Sequence, residues 1–269
     1  MRDIAIAVVC YNNDEEVVEF AKNLALQSAV NRIRLLVTCN SVEDFDGFKE
    51  KLNSAMPSAI VYDPGQNLGY LPGCLYGVKN SLDNYSWILI CNTDIAFVEN
   101  NFFEKAIGDV EKDVWCVGPD IRLLASGIHQ NPFIKNRPSK LKVNIWKIAY
   151  SCYPLFWLYF KMHDIKPQTI GTSHVNSERV YAVHGSCFFI KKECLDAIIN
   201  EKKIGFMYGE ELLVAEVVET NNKKTYYNAK ASIIHNENQV TGKIGNKRKQ
   251  KWFKESLNNY LMIYQRKKQ

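Results

Sequence analysis

The sequence lacks several patterns that would assign a protein to a class directly. It contains neither the dinucleotide fingerprint Gly-x-Gly-x-x-Gly nor a P-loop. Its eight cysteines form no Cys-x-x-Cys pair and no metal-ligand spacing, so we interpret them as reduced, buried residues of a cytosolic protein. Charged residues make up only 23% of the 269 positions, against 46% hydrophobic residues. This balance argues against disorder and predicts one large domain, or one domain with an appendage.

Long apolar runs are also missing. The first run, 4–10, follows the charged Asp3 and has no small-residue cleavage site after it, so it is typical of a first strand and not of a signal peptide. The segment 143–160 is rich in aromatics, but Lys147 and Pro154 interrupt it. It therefore falls short of the roughly 20 predominantly apolar residues that a transmembrane helix needs.

The net charge of +5 is concentrated in two places. Residues 243–269 contain nine Lys or Arg and a single acid, Glu255. A second basic patch contains no acid up to Tyr150, and its members are Lys135, Arg137, Lys140, Lys142 and Lys147. Two basic patches on an otherwise mildly acidic chain predict an anionic partner.

Strand-like and helical patterns alternate through the first half of the chain. Short, continuous, β-branched apolar runs predict strands at 4–10, 33–39, 59–62, 87–91 and 114–117. Helical spacing between them predicts helices at 15–26, 42–52, 72–82 and 101–110. The alternation indicates an α/β fold with a mainly parallel sheet.

Polar residues follow each of these strands, and ligands of such sheets bind at the carboxyl ends of the strands. The third strand is followed by "DPGQNLGYLPG", whose glycines 65, 69 and 73 precede or open a helix. Backbone N–H groups there could receive phosphate, although a loop with turn glycines explains the stretch equally well. Asn40 and Ser41 could likewise be ordinary turn and cap residues. The fourth strand ends on "CNTD", where Asp94 is either a turn residue or a metal ligand.

The second half carries three further candidates. The stretch "RVYAVHGSCFFI" is interpreted as a strand passing through His184, Gly185 and Ser186. Glu210 and Glu211 open a helix, where one carboxylate can serve as a cap. Two adjacent carboxylates also raise each other's pKa and suit a general base. His235 ends a strand and could bind a metal or only satisfy local hydrogen bonds.

The order of the motifs is more specific than any one of them. The series "VVCYNN", "NLGYLPG", "NTD", "VHGSCFFI", "MYGEELLVAE" and "IIHN" resembles the inverting, GT-A-fold glycosyltransferases of family 2, over residues 4–238. Within that family, "NLGYLPG" followed by "NTD" looks like the rhamnosyltransferase-type and polysaccharide-assembly branch. The processive synthases carry transmembrane helices and a Q-x-x-R-W motif, and the sequence contains neither.

The resemblance implies an α/β GT-A fold in which a Rossmann-like nucleotide-binding sheet merges with an acceptor-binding half. The nucleotide-sugar half would span 1–120. The acceptor-binding and catalytic half would span 121–242, including an aromatic and basic segment at 135–165. A basic amphipathic helix would occupy 243–269.

The resemblance also implies a role for each matching residue. Glu211 aligns with the general base and Glu210 with its neighbour, although either could reach the acceptor hydroxyl. Asp94, and with it His235, would hold Mg²⁺ or Mn²⁺, since the first acid of the family's D-x-D motif is replaced by Asn92. Donor-binding positions are Cys10, Tyr11, Asn12, Asn40, Ser41, Asn67, Gly69, Gly73, Asn92, Thr93 and Asp94. Acceptor-binding positions are His184, Gly185, Ser186 and Tyr208.

These features predict the partners. The donor would be a UDP- or dTDP-sugar, and the acceptor a saccharide, lipid-linked if 135–165 and 243–269 bind an anionic membrane surface. The enzyme would then act on the cytoplasmic face of the membrane in polysaccharide, capsule or O-antigen assembly. For the C-terminal helix, packing of its apolar face on the domain is the equal alternative. Two other functions stay open: a nucleotide-sugar-binding protein with weak or no transfer, and a nucleic-acid-binding protein, which no RRM, KH or helix-turn-helix signature supports.

Overall fold

The computed structural model describes residues 3–164, 176–201, 203–236 and 246–266. Within them, nine strands form one sheet. The strands are β1 Ile4–Tyr11, β2 Ile33–Ser41, β3 Ile60–Tyr62, β4 Trp87–Cys91, β5 Ile95–Phe97, β6 Val114–Leu123, β7 Glu178–Val180, β8 Cys187–Lys191 and β9 Lys224–His235. The helices are α1 Asp14–Ala25, α2 Phe45–Ala55, α3 Leu71–Asn80, α4 Phe102–Ile107, α5 Lys140–Ala149, α6 Tyr153–Asp164, α7 Lys192–Ile199, α8 Glu210–Thr220 and α9 Asn246–Tyr264.

The strand order is β3-β2-β1-β4-β8-β6-β9-β5, with β7 paired to β9. The strands β1 to β4 are parallel to one another, as the alternating pattern predicts. β8 comes from the second half of the chain and lies antiparallel between β4 and β6. One continuous sheet therefore holds both of the halves that the resemblance implies.

Two apolar layers cover this sheet. The side chains of β1 from Ile4 to Val8 are all buried, which is why the strand is a continuous apolar run and not an alternating one. One face packs against α1, α2 and α4, and the other against α3, α7 and α8. A third, smaller cluster joins α5 and α8 to α9.

Most predicted elements are confirmed. All five predicted strands begin within one residue of the predicted position, and the four helices differ at their ends by one to three residues. The predicted strand through 184–186 is wrong, because these residues form a turn between β7 and β8. Side chains accept hydrogen bonds from the backbone of this turn. His184 N–H donates to Asn131 Oδ1 at 2.8 Å, and Ser186 N–H donates to the His184 ring.

The C-terminal helix α9 is present and packs its apolar face inward. Leu257, Tyr260, Leu261 and Ile263 are buried against the domain, as the packing alternative requires. Across the described ranges, no helix combines the length and the hydropathy that crossing a membrane would require.

Candidate active site

The endings of β1 and β2 are tied together at the carboxyl edge of the sheet. Asn12 N–H donates to the Ser41 carbonyl at 2.8 Å, and Ser41 Oγ donates back to Asn12 Oδ1 at 2.7 Å. Asn12 has a φ of 54°, a left-handed conformation that asparagine tolerates better than most residues. Tyr11, beside it, is an exposed aromatic side chain. Cys10 is fully buried below this edge, so its side chain belongs to the core.

The glycine-rich loop after β3 is held from β2 by Asn40. Leu68 N–H donates to Asn40 Oδ1 at 3.0 Å, and Asn40 Nδ2 donates to the Gly69 carbonyl at 2.9 Å. Asn67 Oδ1 closes the turn by accepting from Gly69 N–H at 2.9 Å. Asn40 therefore positions the loop that the sequence assigns to donor binding.

Two glycines of this region are required by close backbone contacts. Gly69 has a φ of 83°, and a methyl group on it would lie 2.0 Å from the Phe206 carbonyl oxygen. A methyl group on Gly73, at the start of α3, would lie 2.7 Å from Val9 Cγ2. These packing demands explain both glycines without a ligand, so their contact with a donor stays a prediction.

The turn after β4 presents the "NTD" residues. Asn92 N–H donates to the Ser186 carbonyl at 2.9 Å, which fixes this turn against the 184–186 turn. Thr93 is buried, and its hydroxyl is held by Glu16 and by Asn13 Nδ2, the latter at 3.0 Å. Thr93 is thus hydrogen-bonded to Glu16 of α1 and to Asn13, the residue before that helix.

Asp94 and His235 form a pair at the end of two antiparallel strands. β5 pairs with β9 so that Ile95 lies opposite His235, and this register brings Asp94 Oδ1 to 3.1 Å from His235 Nε2. His235 Nδ1 lies 2.8 Å from Gln130 Oε1, an oxygen that can only accept, so Nδ1 carries a hydrogen. Nε2 is the ring nitrogen that faces the Asp94 carboxyl.

A carboxylate oxygen and an imidazole nitrogen side by side fit a divalent cation. In the described part of the chain no group of three His, Cys, Asp or Glu converges as a complete metal site. Among the described residues, Asp94 and His235 thus supply two of the ligands that such a cation needs, and the oxygens of a bound diphosphate could supply others.

The two carboxylates at the start of α8 lie against Gly185. Tyr208 and Gly209 precede the helix with φ angles of 63° and 77°, and this left-handed pair aims the first turn toward the 184–186 turn. Gly185 N–H donates to Glu211 Oε1 at 3.3 Å. A methyl group on Gly185 would lie 2.5 Å from Glu210 Oε1 and 2.8 Å from Glu211 Oε1.

The two carboxylates differ in their proton affinity. Burial raises the pKa of Glu211, while backbone N–H groups at the helix start oppose the shift. The pKa of Glu210 lies well above its ordinary value because of burial and the nearby Glu211 charge. Both pKa values are therefore raised, and the two carboxyls titrate as a coupled pair.

The 184–186 turn connects these groups. Its Gly185 carbonyl accepts from Tyr70 Oη at 2.8 Å, so the glycine-rich loop reaches the same turn as Asn92 and Glu211. The His184 ring lies 6.3 Å from the His235 ring. Burial and the neighbouring His235 lower the pKa of His184 to about 4, so the ring is neutral at physiological pH.

Sequence reasoning missed several residues of this region. Tyr70 lies inside "NLGYLPG", but the motif predicted a role only for its asparagine and its glycines. Gln130 lies in an irregular stretch with no periodic signal, and its contact with His235 spans 105 residues. Tyr208, predicted to bind the acceptor, stacks on Phe253 of α9 with ring centroids 4.6 Å apart.

The order of the strands and the loops at their carboxyl ends are those of a GT-A fold. No protein-family model and no curated protein matches the sequence. Solved structures do match. The chain is similar to GalNAc-T7, solved with UDP, GalNAc and Mn²⁺, with a TM-score of 0.67 and 10% identity over 98% of this chain and 48% of that one. It is also similar to the mannosyltransferase PcManGT from Pyrobaculum calidifontis, solved with GDP-Man and Mn²⁺, with a TM-score of 0.55 and 10% identity over 97% of this chain and 69% of that one. The chain thus spans about half the length of the GalNAc-T7 chain.

Proposed function

We propose that this protein is an inverting glycosyltransferase that moves a sugar from a nucleoside-diphosphate sugar to a saccharide acceptor. The observation that supports this function is the 184–186 turn, which contacts both the "NTD" turn and the carboxylate pair. Asn92 binds the Ser186 carbonyl and Glu211 accepts from Gly185 N–H. The residues suited to a leaving diphosphate and those suited to a base thus lie on either side of one short segment.

Asp94 and His235 are the residues that would hold Mg²⁺ or Mn²⁺. Such an ion offsets the negative charge that builds on the departing diphosphate. Gln130 orients the His235 ring by fixing the hydrogen on Nδ1. Asn92 stands at the first acid of the D-x-D motif, so Asp94 is the one carboxylate of this turn.

Glu211 is the proposed base. As the acceptor oxygen bonds to the anomeric carbon and the bond to the diphosphate breaks, the hydroxyl proton passes to the Glu211 carboxylate. Glu211 is chosen over Glu210 because its carboxylate accepts from Gly185 N–H in the 184–186 turn. Attack from the face opposite the leaving group inverts the anomeric centre.

The finer assignments follow from the sequence resemblance and the basic surfaces. We propose a UDP- or dTDP-sugar, with a rhamnosyltransferase-like donor among the candidates, and a lipid-linked saccharide acceptor in polysaccharide, capsule or O-antigen assembly. The protein would work at the cytoplasmic face of a membrane. The second candidate function is nucleotide-sugar binding with weak or no transfer, which the single acid of "NTD" favours.

Replacing Asp94 with alanine should abolish the metal-dependent part of nucleotide binding. For the unchanged protein we expect UDP or dTDP with Mn²⁺ to raise the melting temperature, since a ligand at 100 times its Kd stabilises by about 2.7 kcal/mol. Asp94→Ala should lose that shift, while the control Asp109→Ala, which removes an exposed carboxylate after α4, should keep it. Equal responses of all three proteins to nucleotide and Mn²⁺ would exclude Asp94 as the ligand. Binding without any transfer to a range of acceptors would favour the second function.

Replacing Gly185 with alanine should impair transfer more than folding. Gly185 is not among the glycines with a positive φ, so alanine fits the backbone, but its methyl group would displace both carboxylates. These are the ends of flexible side chains and can rotate away at little cost in stability. Because a displacement of about 1 Å can cost about 10²-fold in rate, we expect a loss of that order in kcat with nucleotide binding retained. Full activity would show that the Gly185 contact does not position the base.

A further inference from the structure

Two neighbouring helices, α5 and α6, leave an unusual amount of apolar surface exposed. On α5 the exposed side chains are Leu141, Ile145 and Ile148, which share one face of the helix, with Leu141 71% and Ile148 63% exposed. On α6 they are Leu155, Trp157, Leu158 and Met162. Single exposed apolar residues are common, but seven on one helix pair are typical of an interaction site. We call these seven residues the α5–α6 apolar surface.

The charge around this surface has one sign. The sequence contains no Asp or Glu from 121 to 163. Lys142 lies over the Trp146 ring and Lys161 over the Trp157 ring, at 5.3 and 4.6 Å from the ring centroids. Lys140 and Lys147 are exposed on α5. Lysines among exposed aliphatic and Trp side chains are the composition of an interfacial helix that binds anionic lipid.

The C-terminal helix adds cations beside this surface. Lys247 lies 5.9 Å from the centre of the Tyr153 ring, and Lys254 donates to the Ser151 carbonyl, so the exposed face of α9 flanks the α5–α6 junction. Two members of the predicted basic patch pair with acids of the protein instead, Lys135 with Glu178 at the surface and Arg137 with the buried Glu216.

From these observations we infer that the α5–α6 apolar surface, with the lysines around it, docks on an anionic lipid bilayer. With 10 and 12 residues, the helices are about 15 and 18 Å long. This is too short to cross the roughly 30 Å hydrocarbon core, so they lie in the plane of the interface. Their apolar side chains enter the acyl boundary, and the lysines near the surface are attracted to an anionic leaflet.

The inner faces of the same helices connect this surface to the site. Tyr150, Phe156 and Phe160 pack on Phe253 of α9, with ring centroids 5.4 to 5.5 Å away. Phe253 stacks on Tyr208, two residues before Glu210. Docking at the α5–α6 apolar surface would therefore place the bilayer against an aromatic cluster that continues through Phe253 to Tyr208, beside the carboxylate pair. This step rests on the proposed function, because the bilayer would supply the transferase with an acceptor that carries a lipid.

Vesicle binding by the full chain tests this inference. We expect co-sedimentation with vesicles of phosphatidylcholine and phosphatidylglycerol, and at least tenfold weaker binding to phosphatidylcholine alone or to the mixed vesicles at high salt. Ile145→Ser/Ile148→Ser and Trp157→Ser/Leu158→Ser should each weaken binding at least tenfold. The matched control Leu26→Ser/Leu82→Ser removes exposed leucines outside this surface and should bind as the unchanged protein does.

A fluorescent label can locate the contact. Cys152, at the α5–α6 junction, is exposed, whereas the other seven cysteines are buried. A polarity-sensitive dye on Cys152 should shift to shorter wavelength when anionic vesicles are added. Absence of binding at low salt, or equal loss in the control variant, would overturn the inference. So would concentration-dependent self-association that the α5 and α6 variants abolish. The nucleotide-induced melting shift should survive in every variant, so loss of docking is distinguishable from failure of the transferase site.

Discussion

Changing Glu211 to glutamine should lower the rate of sugar transfer by about 10²- to 10⁴-fold, the usual contribution of a general base. The amide cannot accept the acceptor proton, although it keeps the size of the side chain. Asp94 and the loop held by Asn40 do not depend on this carboxylate, so nucleotide and metal binding should be unchanged. Initial rates of transfer and the nucleotide-induced melting shift, measured on the same preparation, check both parts.

Glu210→Gln is the matched control for this prediction. Burial and the nearby Glu211 charge raise the pKa of Glu210 well above its ordinary value, which favours the neutral acid, and glutamine imitates that form closely. We expect most of the activity to remain. The opposite result, an active Glu211→Gln and an inactive Glu210→Gln, would assign the base to Glu210.

The pH dependence has a defined sign. The base must be ionised, so kcat should rise with pH through the raised pKa of Glu211, above its ordinary value of 4.5. The pH dependence of stability has the opposite sign, because a carboxyl whose pKa is raised in the folded state binds its proton more tightly there than in the unfolded chain. Its contribution to stability is complete below the unfolded pKa and is lost as pH rises through the folded pKa. Glu210→Gln should therefore melt higher than the unchanged protein at neutral pH and not at low pH.

The fold could be predicted where local pattern and global position agree. β4 is a continuous apolar run because both of its faces are covered, and the ends of that run predicted the ends of the strand. The 184–186 turn was predicted as strand because apolar residues on both sides mask it. Its backbone groups are satisfied by Asn131, a partner 53 residues away that no local pattern can reveal.

The candidate site shows the same division. Asp94 follows β4 and His235 ends β9, and the motif positions of these two residues predicted a shared site. In the structure, the pairing of β5 with β9 places the two side chains 3.1 Å apart. The contacts of Gln130 and Tyr70 depend on antiparallel insertion of β8 and on side chains from irregular segments. The exposed face of α5 could not be separated from a packing face by periodicity, because both produce the same spacing of apolar residues.

Arg137→Ala should destabilise the protein by about 3 kcal/mol, the lower end of the cost of breaking a buried ion pair. Arg137 Nη2 and Nε donate to the two oxygens of Glu216 at 2.6 and 3.1 Å. Glu216 is fully buried in α8, and its other partner is Tyr181 Oη at 2.7 Å. Without the guanidinium, a buried carboxylate keeps one neutral donor. The Arg137 side chain is 31% exposed, so water offsets part of the loss.

Urea unfolding of Arg137→Ala should show a lower midpoint with an unchanged slope. The matched control is Arg179→Ala, which removes an ion pair with Glu219 on the same helix at 3.4 Å. That arginine is 60% exposed, so its loss should cost less than about 1 kcal/mol. Arg137 also lies over the Tyr264 ring and donates to its carbonyl, which ties α9 to α8. If the two variants unfolded at the same urea concentration, the Arg137–Glu216 pair would not hold α8 and α9 together.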